Sequence, residues 1–317
     1  MVEFIGGACH PASRVDDPTI WTKGRNLLGG LASAFRGCFH RDRSVEFQTS
    51  PTTLRTGAAS SVGHYRAENE DRCYNDCRCG VLLIADGIGG RPGGAMASRI
   101  LVDTAPPVLC RAIAGHDVDA VRMTAAVREA MEAARQAMIL RARRRPHYNC
   151  MGATMALAVI VDGVLYASRA GDCRVYHLRD GQIHRLTTDE TFVQVLLDAG
   201  TINQQQVRTH PYRHHVLNWV GVDGLKHPIE ATATQLAPGD RILLTTDGVT
   251  DVLDDEAIAR VVDWRRYPQA AAEALVAEAL DRDSRDNVSC VVADVVAVHE
   301  GDRAAETSPE ALGMAAA

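Results

Sequence analysis

The stretch Met155–Leu186, MALAVIVDGVLYASRAGDCRVYHLRDGQIHRL, decides how the rest of the chain is read. Asp162-Gly163 separates two apolar runs in it, and Asp180-Gly181 separates two more. Asp-Gly between apolar runs suits a tight turn, so the stretch reads as consecutive antiparallel strands joined by hairpins. That excludes a purely parallel sheet. Upstream, Val81–Ala85 reads as a further buried strand, and two long helical segments follow it. These are Gly94–Ala114, disturbed by Pro106-Pro107, and Asp119–Arg145, with Asp117 as its expected cap. Pro268–Leu280 reads as a helix that opens with proline. Hairpin strands with helices held in separate pairs predict an α+β sandwich, sheets inside and helices outside.

A chain of 317 residues with 46% apolar content has enough material for a sizeable core. The formal charge of -6, with both signs mixed and no basic stripe, argues against a nucleic-acid coat protein. No apolar run is long enough to cross a bilayer, and Met1–His10 lacks a cationic segment followed by an apolar one. A cytoplasmic location is expected. Residues 1–55 are rich in small and polar types and read as a poorly ordered extension. Within them, Trp21–Phe39 could place Leu27, Leu28, Leu31 and Phe35 on one helical face for docking, but Gly24, Gly29, Gly30 and Gly37 weaken that helix. Residues 56–298 read as the folded domain and 299–317 as a disordered tail.

Cys110, Cys150, Cys173 and Cys290 sit singly in apolar surroundings and read as reduced, buried thiols. Cys73, Cys77 and Cys79 form the one cluster that invites a zinc reading, although no fourth ligand stands at matching spacing. The Gly-rich run Gly87–Gly94 lacks the Lys-Ser/Thr ending of a nucleotide-phosphate loop. No cysteine is read as opening the phosphate-cradling Cys-x5-Arg loop of thiol phosphatases.

Acidic residues carry the chemistry. Val81-Leu82-Leu83-Ile84-Ala85-Asp86-Gly87 and Arg241-Ile242-Leu243-Leu244-Thr245-Thr246-Asp247-Gly248 are each an apolar strand ending in Asp-Gly. Alone, either would be a simple turn; repeated, they suggest two carboxylates on rigid platforms. Glu70-Asp71, Asp172, Asp251 and Asp286-Asn287 occupy similar junctions. If these converge, divalent cations must relieve their repulsion, and an all-oxygen donor set selects magnesium or manganese over zinc.

Taken in order, Gly63–Asp71, Ala85–Gly90, Ala170–Arg174, Thr246–Asp251 and Ser284–Asn287 resemble the motifs of the PP2C-like, metal-dependent protein serine/threonine phosphatases, bacterial type. The resemblance runs from about Thr56 to Val298. It implies a four-layer αββα sandwich of two mainly antiparallel sheets, with two tightly bound Mn2+ or Mg2+ ions between them. It also implies that Asp86 bridges the ions, that Asp247 and Asp286 complete one, and that Glu70 and the Gly87 carbonyl serve the other. Asp71 would orient water from behind the ligands, and Arg66 would hold the substrate phosphate unless it merely pairs with Glu68 or Glu70. Asp172 and Asp251 match residues that help hold a third, weaker ion; their plain structural reading is as turn and helix caps. The implied reaction is in-line attack on phosphorus by a metal-bridging water, with phosphoproteins as substrates and a Ser/Thr kinase as counterpart. A regulatory module that merely resembles a phosphatase is the alternative, but such a module would be expected to have lost ligands.

Some positions depart from the family. Ile88 stands where eukaryotic members carry a histidine, which leaves leaving-group protonation without an assigned residue. Gly152-Ala153-Thr154, Cys173 and Glu190 also differ from the usual pattern. Gly200–Gly221 resembles the variable flap of bacterial members.

Overall fold

The computed structural model describes residues 52–297, apart from 91, 115–117, 226 and 264–266. The readings of Trp21–Phe39, of the tail 299–317 and of Asp117 as a cap fall outside the described residues. The chain runs β1 (Thr52–Ser61), β2 (Asp71–Asp76), β3 (Val81–Gly87), α1 (Gly94–Ile113), α2 (Ala120–Arg144), β4 (Gly152–Val161) and β5 (Val164–Ala170). It continues with β6 (Arg174–Arg179), β7 (Gln182–Arg185), α3 (Phe192–Asp198), α4 (Gln204–Thr209), β8 (Val220–Gly221) and β9 (Thr232–Gln235). Then come β10 (Arg241–Thr245), α5 (Asp247–Thr250), α6 (Asp255–Asp263), α7 (Pro268–Asp281) and β11 (Val288–Ala297). Strand β1 begins at Thr52, inside the stretch read as extension, and pairs along its length with β11.

Two antiparallel sheets form, one in the order β1-β11-β10-β6-β7 and the other β2-β3-β4-β5-β9, with β8 added to β4. The central strands read as unbroken apolar runs because both of their faces are covered. On β3, Leu82 and Ile84 face the core between the sheets, where Ala156, Ile242, Leu244 and Val291 meet them. The alternate residues Val81, Leu83 and Ala85 face the helices α1 and α2, against Leu101 and Met131. The other sheet repeats the pattern: Leu243, Cys290 and Val292 pack under α6 and α7, against Ile258 and Leu275. Period-two alternation therefore builds three apolar layers between four structural ones, the αββα sandwich.

Both Asp-Gly hairpins form. Asp162 and Gly163 have φ of 50° and 74°, and Asp180 and Gly181 have 52° and 74°, the paired positive values that a two-residue hairpin turn needs. The reading of consecutive strands needs one correction. β4 pairs with β5 and β6 with β7, but β5 and β6 lie in different sheets. The chain crosses from one sheet to the other through Gly171-Asp172-Cys173, where Gly171 takes a φ of 100° beside the Thr154 side chain.

Helix α1 continues through Pro106-Pro107, and the cap of α2 is Asp119, whose carboxylate accepts from Arg122 N at 2.7 Å. Pro268 opens α7, whose first turn lies so close on β1 that any side chain at Gly57 would strike the Pro268–Gln269 backbone. The cysteines depart from expectation. Cys79, weighed as a zinc ligand, and Cys110, read as a reduced thiol, form a disulfide with a Cα–Cα distance of 5.9 Å. Packing α1 on β3 brings its last turn to the β2–β3 hairpin, a proximity that a separation of 31 residues hid. With Cys79 taken, and burial pushing the Cys73 thiol up to about 12, no three-thiolate zinc site is formed.

Closing a loop of this length by a covalent bond stabilises a fold by about 3 to 4 kcal/mol, through the unfolded chain. Alkylation and peptide mapping without reductant should therefore recover Cys79 and Cys110 as one linked pair, and Cys79→Ser should unfold at a lower temperature. Free Cys79 in the native protein would contradict the pairing.

Candidate metal centre

Strands β3 and β10 end on the same edge of the sandwich as β2 and β11 begin, because each neighbouring pair is antiparallel. Asp71, the first residue of β2, stands opposite Asp86, the next to last of β3. Asp247 follows β10 and starts α5; Asp286 precedes β11; Asp172 lies at the crossing between sheets. The short turn of α5 directs Asp251 toward Asp247, four residues away. The result is a cleft of about 510 Å³ lined by Arg66, Glu70, Asp86, Gly87, Asp172, His214, Asp247, Asp251 and Asp286. Asp71 does not line it; only 2% exposed, it lies behind Asp86.

Close backbone approaches hold these groups. Asn287 accepts from Glu70 N at 2.8 Å and donates to the carbonyls of Val62 and Glu68 at 2.9 and 3.0 Å, so one side chain fixes the loop carrying Arg66 and Glu70. Ser98 of α1 donates to the Glu70 carbonyl. The Glu70 carboxylate accepts from Ala95 N at 3.3 Å in the first turn of α1, where a Cβ on Gly94 would come within 2.6 Å of it. The Gly-rich run thus makes room for a carboxylate at a helix N-terminus rather than for a nucleotide phosphate. Thr246 donates to Asp71 Oδ2 at 3.0 Å.

The electrostatics are unfavourable without cations. Burial drives the Asp86 carboxyl well above the usual range, and Asp71, Asp247 and Asp172 push it further. Burial likewise raises Asp172, with Asp247 adding to the effect, and raises Asp71 to about 7 and Asp251 to about 6. Asp286 and Glu70 rise for the same first reason. Asp71 Oδ1 and Asp247 Oδ1 are buried with no hydrogen-bond partner. Uncompensated carboxyl oxygens of this kind fit hard divalent cations, which would lower the repulsion and fill the missing bonds.

The site residues expected from sequence therefore converge, with Asp71 set back. Arg66 pairs with Asp286 at 2.6 Å, not with Glu68 or Glu70. Glu190, a departure from the family pattern, acquires a place: its Oε2 accepts from Gly171 N and from Asn218 Nδ2, both at 3.0 Å, tying the Asp172 crossing to the flap. Cys173 lies 3.3 Å from the Thr154 hydroxyl. Cys173 and Arg179 do stand at Cys-x5-Arg spacing, which the sequence reading passed over. The intervening residues are strand β6, and Arg179 binds Asp240, so no phosphate loop forms. Sequence reasoning missed His214. Its Nδ1 lies 3.8 Å from Asp247 and 3.6 Å from Asp251, and those carboxylates, Asp247 first, raise its pKa against the effect of burial. Its place in a variable flap gave no pattern to find it by.

Comparison with known proteins places the fold. Serine/threonine protein phosphatase PstP of Mycobacterium tuberculosis (strain ATCC 25618 / H37Rv) is 34% identical over 249 residues, which make up 77% of this chain. The match covers 45% of that relative, so the chain spans less than half its length. The crystal structure of the M. tuberculosis phosphatase PstP/Ppp superposes with a TM-score of 0.69 at 32% identity, covering 77% of this chain and 99% of that one. A PstP catalytic domain in complex with two manganese ions gives a TM-score of 0.67 at 31% identity, covering 78% of this chain and all of that one. Residues 63–291 match the family described as protein phosphatase 2C. With its sandwich fold and its carboxylate cleft between the sheets, the chain belongs to the protein phosphatase 2C family.

Proposed function

We propose that this protein is a manganese- or magnesium-dependent phosphatase of phosphoserine and phosphothreonine in proteins. The observation that carries the proposal is the convergence of Glu70, Asp86, Asp247 and Asp286 in one cleft, with Arg66 at its rim. A regulatory module without catalysis would have no need to keep such a costly cluster. The ions held by the related PstP domain support the same choice of cofactor.

In this reading Asp86, Asp247, Asp286, Glu70 and the Gly87 carbonyl are the groups that would hold two cations. Asp172 and Asp251 would help hold a third. When bound, manganese or magnesium supplies the Lewis acidity for attack of water on phosphorus. Asp71 would act from behind: one oxygen is fixed by Thr246, and the other, buried with no hydrogen-bond partner, is the acceptor that would orient a water. Arg66, half exposed and steered by Asp286, presents a planar guanidinium that makes parallel hydrogen bonds to a phosphoryl group. The absence of a side chain at Gly89 leaves room beside Arg66, since a Cβ there would come within 3.1 Å of Nη1.

A Ser/Thr kinase that makes the substrates belongs to the same proposal, supported by the chemistry of the substrate rather than by a contact. Among the described residues no helix is long and apolar enough to cross a membrane. The Cys79–Cys110 bond points away from a reducing compartment, so thiol mapping bears on location as well.

Hydrolysis of phosphopeptides should vanish in chelator and return with Mn2+; full turnover after metal removal would refute the proposal. Arg66→Ala should lower kcat/KM by about 10- to 100-fold, the loss of one or two charge-assisted hydrogen bonds. Asp86→Asn and Asp247→Asn should lose roughly 100-fold or more in turnover while the metal-free proteins stay as stable as the parent or become more so. An Asp86→Asn protein that unfolds yet keeps its specific activity would mark the residue as structural.

A pH dependence follows in the metal-free state. The folded protein retains the Asp71 and Asp251 protons to about 7 and about 6, whereas the unfolded chain loses them near the ordinary value of 3.8. Between those values the folded state binds more protons, so these groups make stability fall as pH rises. In chelator, Asp71→Asn should flatten this fall between about pH 4 and about pH 7, as read by calorimetric Tm. An identical slope in parent and variant would remove Asp71 as its source.

A further inference from the structure

The flap between α4 and β8 brings one imidazole to the carboxylates. Among the described residues lining the cleft, His214 is the only histidine. Its Nδ1 and one oxygen each of Asp247 and Asp251 lie within 4.8 Å of one another. The imidazole is 3.8 Å from Asp247 and 3.6 Å from Asp251, too far for strong hydrogen bonds. That spacing leaves a gap that one cation would bridge with bonds of about 2.0–2.6 Å. Asp247 also keeps a buried oxygen, Oδ1, with no hydrogen-bond partner.

The backbone around His214 is fixed on both sides. Phe192 N donates to the His215 carbonyl at 2.9 Å, Thr191 and Val216 form an antiparallel bridge, and Leu217 N donates to the Glu190 carbonyl at 2.7 Å. Before it, Arg213 N donates to the His210 carbonyl at 3.1 Å, and the Tyr212 ring meets Phe192 edge-on at 5.9 Å. His214 is thereby aimed at the cleft by the fold of the flap, while its side chain stays 46% exposed and reachable by an ion.

We propose that His214 donates a nitrogen ligand to the outer cation, completing with Asp247 and Asp251 a site that fastens the flap to the metal centre. Manganese, a transition metal, accepts a nitrogen donor beside carboxylates more readily than magnesium, which dehydrates reluctantly and keeps its water. The outer site of this chain therefore favours manganese, and filling it restrains the flap that borders the substrate cleft. The inference rests on the metal-dependent reading above, but it is tested by metal binding and not by turnover.

The experiment loads the full-length, metal-free protein with Mn2+ and records pulsed EPR together with calorimetric titration. As the outer site fills, the parent should show nitrogen modulation from a coordinated imidazole, and His214→Gln should lose it. In that variant the weakest Mn2+ event should weaken about tenfold or more, with the tight events unchanged and Mg2+ binding little altered. Hydrogen exchange at residues 210–216 should slow on Mn2+ addition in the parent alone. His214→Lys, which returns a cation without an imidazole, should bind Mn2+ no better than His214→Gln. Tight Mn2+ binding without nitrogen modulation in the parent overturns the proposal and leaves the phosphatase reading standing, as does parent-like Mn2+ affinity in His214→Lys. No Mn2+ binding by the parent overturns both.

Discussion

Carboxylates that repel one another are held together here by strands that cannot move apart. Asp86 and Asp71 face each other across β2 and β3, and Asp247 and Asp286 flank the neighbouring ends of β10 and β11. Behind each lies a layer of fully buried apolar residues that fixes the strand in place. The folded protein thus stores electrostatic cost at one edge, and raised carboxyl pKa values are its signature. In the proposed function cations would remove that cost, so one geometry would serve both metal affinity and chemistry.

Much of the remaining structure serves this edge. The glycines are at points of contact: Gly87 and Gly94 let β3 and α1 meet beside Glu70, and Gly248 lets α5 lie against the Asn287 carbonyl. A side chain at any of these would push a carboxylate-bearing segment outward. Asn287 completes the frame by satisfying three backbone groups of the Val62–Glu70 loop with a single amide. Their effect is to remove freedom from the carboxylates and Arg66 that line the cleft.

The flap is built differently. It is tied to the scaffold through Glu190, Asn218 and a cluster of rings around Phe192, and it joins an apolar layer at its end, where buried Val220 pairs with β4. The same Glu190 holds Gly171, beside Asp172, so the flap and the outer carboxylates share a support. A flap joined to the site by polar contacts is a segment whose position responds to charge, and His214 places that response next to Asp247 and Asp251.

The amino-acid sequence by itself determined the strands, the hairpins and the acidic positions, because these are local. Apolar runs set β3, β4 and β10, Asp-Gly pairs set the turns, and strand-end aspartates with ordered motifs carried the family resemblance. What crosses between distant segments only the tertiary structure decided. The chain changes sheets at Asp172, which no local pattern marks, since an extended residue looks alike whether its next strand pairs beside it or in the other sheet. Cys79 meets Cys110 because α1 packs across β3, and Arg66 meets Asp286 because β1 and β11 are neighbours. His214 gained its meaning in the same way: a histidine in a variable loop has no periodicity to betray it, and only the packing of the flap beside α5 places it next to Asp247 and Asp251.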